Sequence, residues 1–310
     1  MSASGPLLWS GVHVAMLTPF TAGGSIDHAE FVRHARWLVE SGADALIAGG
    51  SLGEGSALAT EERRALVRDL VGEVQGSVPV IAAVAAARTS EAVRQANDAR
   101  AEGAAGLLVL PPYVYRGDRR ETSAHFAAVV GSTELPCMLY NNPPAYGTDV
   151  PPDQVRELVA ELPNLTGVKE SSGDVRRITA LRTLLGDRVS VAVGIDDALF
   201  EGVRSGAVGW VAGLANAFPR ESVALFRLCR EGDTARGLDR YRWFLPLLRM
   251  DADPKFVQQI KLVTAEVGFG TPRVRPPRLE LSGPERDAVL AVLRERLARR
   301  PVDSNPARAP

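Results

Sequence analysis

Leu165-Thr166-Gly167-Val168-Lys169-Glu170-Ser171-Ser172-Gly173-Asp174 is a short apolar run that stops at a lysine and gives way to small polar residues. The run reads as a buried strand, and residues 171–174 read as the start of a helix. A strand feeding a helix in this way is one βα unit of a parallel sheet covered by helices. Lys169 stands at the C-terminal end of the strand, where an amine can be desolvated. Desolvation keeps it neutral at lower pH, so that it can attack a carbonyl carbon and form a Schiff base. The bland alternative is that the strand simply ends and the lysine reaches solvent on its apolar stem.

The same unit recurs along the chain. Short apolar runs at 12–17, 45–48, 78–84, 106–110, 136–140, 165–169, 189–193 and 208–211 predict eight strands. Amphipathic stretches between them, such as 27–40, 60–74, 90–102 and 153–161, predict helices. Thr60 and Ser90 are placed to cap first-turn amides, and Gly42, Gly76 and Gly103 to end helices in a left-handed C-cap. Eight such units predict a (β/α)8 barrel. An open doubly wound sheet is the competitor, but it carries a Gly-rich phosphate turn after its first strand, where this chain has Thr18-Pro19-Phe20.

After Phe218 only helical pattern remains, at 219–230, 234–248, 253–267 and 283–299, with Arg273-Val274-Arg275-Pro276-Pro277-Arg278 as an extended Pro-rich linker. We therefore assign residues 1–232 to a barrel, 233–300 to a helical extension and 301–310 to a frayed tail. A total of 310 residues accommodates this, since such barrels need about 250.

Composition narrows the partners. The 36 lysines and arginines nearly balance the 37 aspartates and glutamates, so no bulk field favours nucleic acid or an anionic membrane. No run reaches the roughly 18 apolar residues of a membrane span, and residues 1–10 lack a basic leader. Cys137 and Cys229 are far apart and without metal-ligand spacing, which argues for a reducing, cytoplasmic setting. His13, His28, His34 and His125 form no metal constellation, and no metal or cofactor is expected.

Barrel active sites lie at the C-terminal ends of the strands, which selects the candidates by position. Strand two ends in Gly49-Gly50-Ser51-Leu52-Gly53-Glu54, whose glycines let a ligand approach and leave amides free for a carboxylate. A plain glycine-rich loop is the alternative. Strand four ends in Pro111-Pro112-Tyr113-Val114-Tyr115, with each tyrosine either at the mouth or anchoring the loop. Strand five ends in Tyr140-Asn141-Asn142-Pro143-Pro144-Ala145-Tyr146-Gly147. Tyr140 closes its strand as Lys169 closes the next, so the two converge, and a phenol beside a Schiff-base amine can shuttle protons. Strand seven ends in Gly194-Ile195-Asp196-Asp197, whose aspartates read as helix caps, and Gly206, Gly209 and Gly213 read as close packing around strand eight. Glu54 and Glu170 could serve as acid and base, but each comes directly after a motif residue and reads as turned away into hydrogen bonds with loop amides.

These segments together resemble the dihydrodipicolinate synthase/N-acetylneuraminate lyase family of class I aldolase-type enzymes. The resemblance rests on Thr18-Pro19-Phe20, Gly50-Ser51-Leu52-Gly53-Glu54 with Leu58 and Glu61-Glu62-Arg63, Pro112-Tyr113, Tyr140-Asn141-x-Pro143, 167–174 and 209–216, in order over nearly the whole chain. It implies that Lys169 forms an imine with a 2-oxo acid, that Tyr140 relays protons with Ser51 assisting, and that the Ser51 and Leu52 amides hold the substrate carboxylate. It implies that Tyr113 crosses to complete a neighbouring site in a homotetramer and that Val211 lines the pyruvyl pocket. Gly50, Leu52, Asn142, Ala145 and Gly194 complete the expected substrate contacts.

The departures from the pattern matter as well. Lysine-pathway synthases of the family carry a threonine at the position of Leu52 and an arginine at that of Ala145. The variants present here look closer to members that dehydrate or deaminate hydroxylated 2-oxo acids or cyclic imino acids, such as pyrroline-4-hydroxy-2-carboxylate deaminases. The main expectation is therefore dehydration, deamination or aldol cleavage through a Lys169 imine and enamine. The alternatives are an authentic 4-hydroxy-tetrahydrodipicolinate synthase, joining pyruvate and aspartate semialdehyde, and a non-catalytic 2-oxo acid sensor.

Overall fold

The computed structural model describes residues 7–301, so the expected tail lies outside the described residues except for Pro301. Eight parallel strands close on themselves in sequence order: β1 Gly11–Ala15, β2 Ala45–Ala48, β3 Val80–Val84, β4 Gly106–Val109, β5 Cys137–Asn141, β6 Leu165–Glu170, β7 Ser190–Val193 and β8 Gly209–Ala212. This is the (β/α)8 barrel expected from the alternation of runs. The strands end short of the apolar runs, although Met16 and Leu110, just beyond β1 and β4, are buried and still donate backbone hydrogen bonds to the neighbouring strands, to Ile47 O at 2.9 Å and to Val84 O at 3.0 Å.

The connecting helices are α1 His28–Glu40, α2 Thr60–Val74, α3 Thr89–Ala101, α4 Arg119–Val130, α5 Pro143–Tyr146, α6 Pro152–Glu161, α7 Arg176–Leu185, α8 Leu199–Arg204 and α9 Pro219–Glu231. Two caps differ from expectation. Ala59, not Thr60, precedes α2, and its amide donates to Glu62 Oε2 at 2.9 Å, so the carboxylate three residues on does the capping. Arg88, not Ser90, precedes α3, which starts one residue early. At the other end of its helix, Gly42 adopts φ 98°, the left-handed turn that a Cβ would resist.

The barrel interior is filled by Trp9, Ala45, Ile47, Ile81, Ala83, Leu108, Met138, Ala192 and Val211. Trp9 closes its N-terminal end and donates its indole N–H to Thr166 Oγ1 at 2.9 Å. Glycine at 167 and 209 makes room for it: a Cβ on Gly167 would meet the indole at 3.1 Å, and one on Gly209 would collide with the Trp9 carbonyl. The expectation of close packing at strand eight thus acquires a specific partner.

After Gly232 come α10 Thr234–Leu248, α11 Phe256–Glu266 and α12 Gly283–Ala298. Their apolar faces, including Phe244, Leu247, Ile260 and Leu290, join the same hydrophobic core as the barrel helices. The Pro-rich segment before α12 is pinned rather than a loose spacer. Arg275 donates through its amide to Glu54 Oε2 at 3.0 Å and through its guanidinium to both oxygens of Glu62, at 2.6 and 2.7 Å. Among the described residues no helix is long and apolar enough to cross a membrane.

Candidate active site

A cavity of about 800 Å³ opens at the C-terminal end of the barrel. Every candidate chosen from the sequence lines it: Gly50, Ser51, Leu52, Tyr113, Tyr140, Asn142, Ala145, Lys169, Gly194 and Val211. Strand register dictates the placement, because residues that end their strands at one level project into one mouth.

Lys169 is held at 7% exposure on β6, so the solvent-reaching alternative does not describe it. Its register partner on β5 is Tyr140, and the Lys169 Nζ lies 3.9 Å from the centroid of that ring. Among the described residues no carboxylate lies within ion-pair distance of this amine. Burial lowers its pKa from the ordinary lysine value, while the charges of Asp251, Tyr146 and Asp196 pull the other way. Gly194 on the neighbouring strand end is small for a reason: a Cβ there would stand 2.6 Å from Lys169 Cγ and Cε.

Tyr140 is also buried, and burial pushes its phenol up to about 12. Its hydroxyl accepts a hydrogen bond from Asn142 Nδ2 at 3.0 Å. Ser51 Oγ is hydrogen-bonded to the hydroxyl of Tyr146, a residue noted in the sequence only as the neighbour of Ala145. The Tyr146 ring meets that of Tyr140 edge-on at 5.7 Å, so Ser51, Tyr146 and Tyr140 form one continuous wall beside the amine. Burial raises the Tyr146 pKa as well.

The loop after β2 is folded tightly on itself. Arg63 donates to the carbonyl of Gly55 at 2.6 Å and to that of Ala83 at 3.3 Å, and Glu54 takes φ 55°. The amides of Ser51 and Leu52 donate to no acceptor among the described residues, and both residues face the cavity. Two unpaired amides side by side form an anion-binding concavity. Tyr113 lies in the cavity of its own chain, 6.5 Å from the Tyr146 ring, while Tyr115 anchors its loop by donating to Glu121 at 3.0 Å.

Both glutamates turn away from the cavity. Glu170 accepts from the Ser172 amide at 2.6 Å and from Asn141 Nδ2 at 3.0 Å. Glu54 is paired with Lys261 of α11, both fully buried. Asp196 is not the helix cap read from the sequence. It accepts from Trp210 Nε1 at 2.9 Å, Gly213 N at 3.1 Å and Leu214 N at 2.7 Å, so it clamps the loop after β8. Sequence reasoning missed Tyr146, Arg116 and Asp251, which also line the cavity. Asp251 carried no signal, since it comes from the turn after α10, far from any strand end. Among the described residues no group of histidine, cysteine or carboxylate side chains could hold a metal ion.

Comparison with known proteins gives the family and the fold. The family model described as the dihydrodipicolinate synthetase family matches residues 8–296. The 4-hydroxy-tetrahydrodipicolinate synthase of Xanthomonas axonopodis is 34% identical, over 90% of this chain and 92% of its own length. That of Salinibacter ruber is 32% identical, over 92% and 95%. Among solved structures, the dihydrodipicolinate synthase from Aquifex aeolicus superposes with a TM-score of 0.89 at 28% identity, covering 93% of this chain and 98% of that one. A prophage protein of the dihydrodipicolinic acid synthase family from E. coli K12, in complex with pyruvate, gives 0.88 at 29% identity, covering 94% and 99%.

Proposed function

The chain belongs to the dihydrodipicolinate synthetase family, whose members are lysine Schiff-base lyases, and on that premise we propose that Lys169 forms an imine with a pyruvate-type 2-oxo acid. One observation carries the assignment: a buried amine without an ion-pair partner rests against the Tyr140 ring in a cavity walled by two unpaired amides. The neutral amine attacks C2, and the resulting carbinolamine loses its hydroxyl as water to give the iminium. Tyr140, with Ser51 and Tyr146 beside it, passes the protons that these two steps require. The Ser51 and Leu52 amides hold the carboxylate, while Asn142, Val211 and Gly194 shape the pocket around the acyl carbon. The iminium withdraws electrons from C3, and loss of a C3 proton gives the enamine.

The second half of the reaction has two readings. Condensation of the enamine with aspartate semialdehyde is favoured by the names of the relatives, which are 4-hydroxy-tetrahydrodipicolinate synthases. Loss of a C4 hydroxyl or amine is favoured by residues 145 and 146: Ala145 offers no cation to a distal carboxylate, and Tyr146 takes the hydrogen-bonding position at Ser51. The relatives weigh more, so condensation is the leading reading. Reductive trapping with pyruvate and peptide mapping tests the imine, and its absence from Lys169 in active protein would overturn the assignment. Turnover of aspartate semialdehyde with pyruvate, set beside sugar-derived 2-keto-3-deoxy acids and pyrroline hydroxycarboxylates, then decides the second half.

The same reading extends to assembly and setting. Val114, 91% exposed at the tip of the loop that carries Tyr113, supports a second copy docking there in a homotetramer. Cys137 and Cys229, both free and buried, support a cytoplasmic setting.

A further inference from the structure

Among the described residues three arginines line the cavity, and two of them are committed. Arg63 donates to the carbonyls of Gly55 at 2.6 Å and Ala83 at 3.3 Å, and Arg278 lies 3.9 Å from the Glu54 carboxylate. Arg116, on the loop between β4 and α4, has no hydrogen-bond acceptor and no ion-pair partner among the described residues. The acidic side chains of its own loop are occupied. Asp118 accepts the Glu121 amide at 2.9 Å, and Glu121 accepts the Asp118 amide at 2.9 Å and the Tyr115 hydroxyl at 3.0 Å.

Arg116 is exposed at the mouth but packed. Its guanidinium rests on the backbone of Gly147, the residue that ends α5 at φ 70°. A Cβ at residue 147 would collide with Arg116 Nε and stand 2.5 Å from Cζ, so the position needs glycine both for the turn and for the guanidinium. Contacts run inward from there. Tyr146, next to Gly147, meets the Tyr140 ring edge-on at 5.7 Å, and Lys169 Nζ lies 3.9 Å from the centroid of the Tyr140 ring. The uncommitted guanidinium thus stands two tyrosines out from the amine, on the side of the mouth that carries the exposed Ala145.

We propose that Arg116 binds a distal carboxylate of the substrate, supplying from the β4 loop the cation that residue 145 lacks. This rests on the imine reading, in which Lys169 and the Ser51 and Leu52 amides fix the 2-oxo acid end. A second carboxylate, carried on the chain that extends from C3, reaches the mouth, where the guanidinium offers it two parallel N–H donors. The site therefore prefers 2-oxo acids that end in a carboxylate to those that end in a methyl group. Joining pyruvate to aspartate semialdehyde gives such a chain, seven carbons long with a carboxylate at each end.

The test compares 2-oxoheptanedioate with 2-oxoheptanoate, the same chain without its second carboxylate. Each is trapped on the full chain by cyanoborohydride over a concentration series and counted by intact mass, with pyruvate alongside. The quantity read is the ratio of the two half-saturating concentrations within each variant, which cancels any general change in the reactivity of Lys169. In wild type the dicarboxylate should half-saturate at a concentration at least about tenfold lower. Arg116→Met should abolish that preference, and Arg116→Glu should reverse it by repelling the second carboxylate. A preference that survives in Arg116→Met, or its absence in wild type, overturns the proposal. Arg116→Lys keeps the charge and should keep part of the preference, so a loss there as complete as in Arg116→Met also overturns it. Absence of a pyruvate adduct on wild-type Lys169 is instead failure of the imine reading, which would take the proposal with it.

Discussion

Tyr140 and Lys169 are direct register partners across β5 and β6, and the amine of one lies 3.9 Å from the ring centroid of the other. Parallel pairing forces this contact: two residues that end adjacent strands at the same level point into the same mouth. Lys169→Ala should therefore abolish both turnover and hydride trapping, whereas Tyr140→Phe should keep the fold and slow turnover about 10²- to 10⁴-fold, the usual range for lost proton transfer. Tyr140→Phe running at the wild-type rate would remove the phenol from the relay.

Gly194 gives a sharper test of the amine's position. Any side chain there is larger than the space available, since a Cβ at residue 194 collides with Ser171 Oγ and stands 2.6 Å from Lys169 Cε and Cγ. Gly194→Ala should leave melting within a few degrees of wild type but push the lysine off its track. Activity is expected to fall about 100-fold, in line with the cost of a 1 Å misplacement. Steady-state kinetics beside a melting curve reads both, and retained activity would show that the side chain has room to move.

Lys261 and Glu54 are a fully buried ion pair joining α11 to the loop that carries Ser51. Lys261 also donates to the Arg273 carbonyl at 2.6 Å. Lys261→Met strands a carboxylate in the interior and should cost about 3–5 kcal/mol in urea unfolding. Adding Glu54→Gln should recover part of that loss. A single-variant cost near zero would mean that the pair does not brace the loop.

Ala145 is exposed at the cavity mouth, so an arginine fits there without disturbing the core. Ala145→Arg should raise the rate with aspartate semialdehyde at least about tenfold, the worth of roughly 1.4 kcal/mol of added charge-assisted hydrogen bonding. Coupled assay of the condensation measures it. An unchanged rate would detach residue 145 from substrate choice.

Two buried histidines should add to the loss of stability in acid. Burial holds both His13 and His34 at about 4, below their ordinary 6.5. Their folded pKa values lie below the unfolded ones, so the stability they contribute is complete above pH 6.5 and is lost as pH falls toward 4. Each should cost up to about 3 kcal/mol over that window. Thermal melts from pH 7 to 4 should show the decline, and His34→Gln, which keeps a donor for the Asn216 carbonyl, should flatten it.

The amino-acid sequence by itself determined the barrel and most of the mouth. Strand runs and helix periods are local properties, and eight of them in alternation leave a closed parallel sheet as the simplest way to bury every strand. Lys169, Tyr140, Ser51 and Gly194 were readable because each lies at or just beyond the C-terminal end of a strand, and strand ends share one rim. Helix caps were less legible, as Thr60 and Ser90 show, since a side chain from three residues on can cap in place of the expected hydroxyl. Only the tertiary structure decided what closes the mouth from above. Lys261 reaches Glu54 across 207 residues of chain, and Asp251 arrives from a turn that carries no strand or motif signal. Their partners are set by how the last helices dock on the barrel, and docking depends on shapes that no local pattern encodes. The same docking brings the Asp251 carboxylate to the wall of the cavity that Lys169 lines.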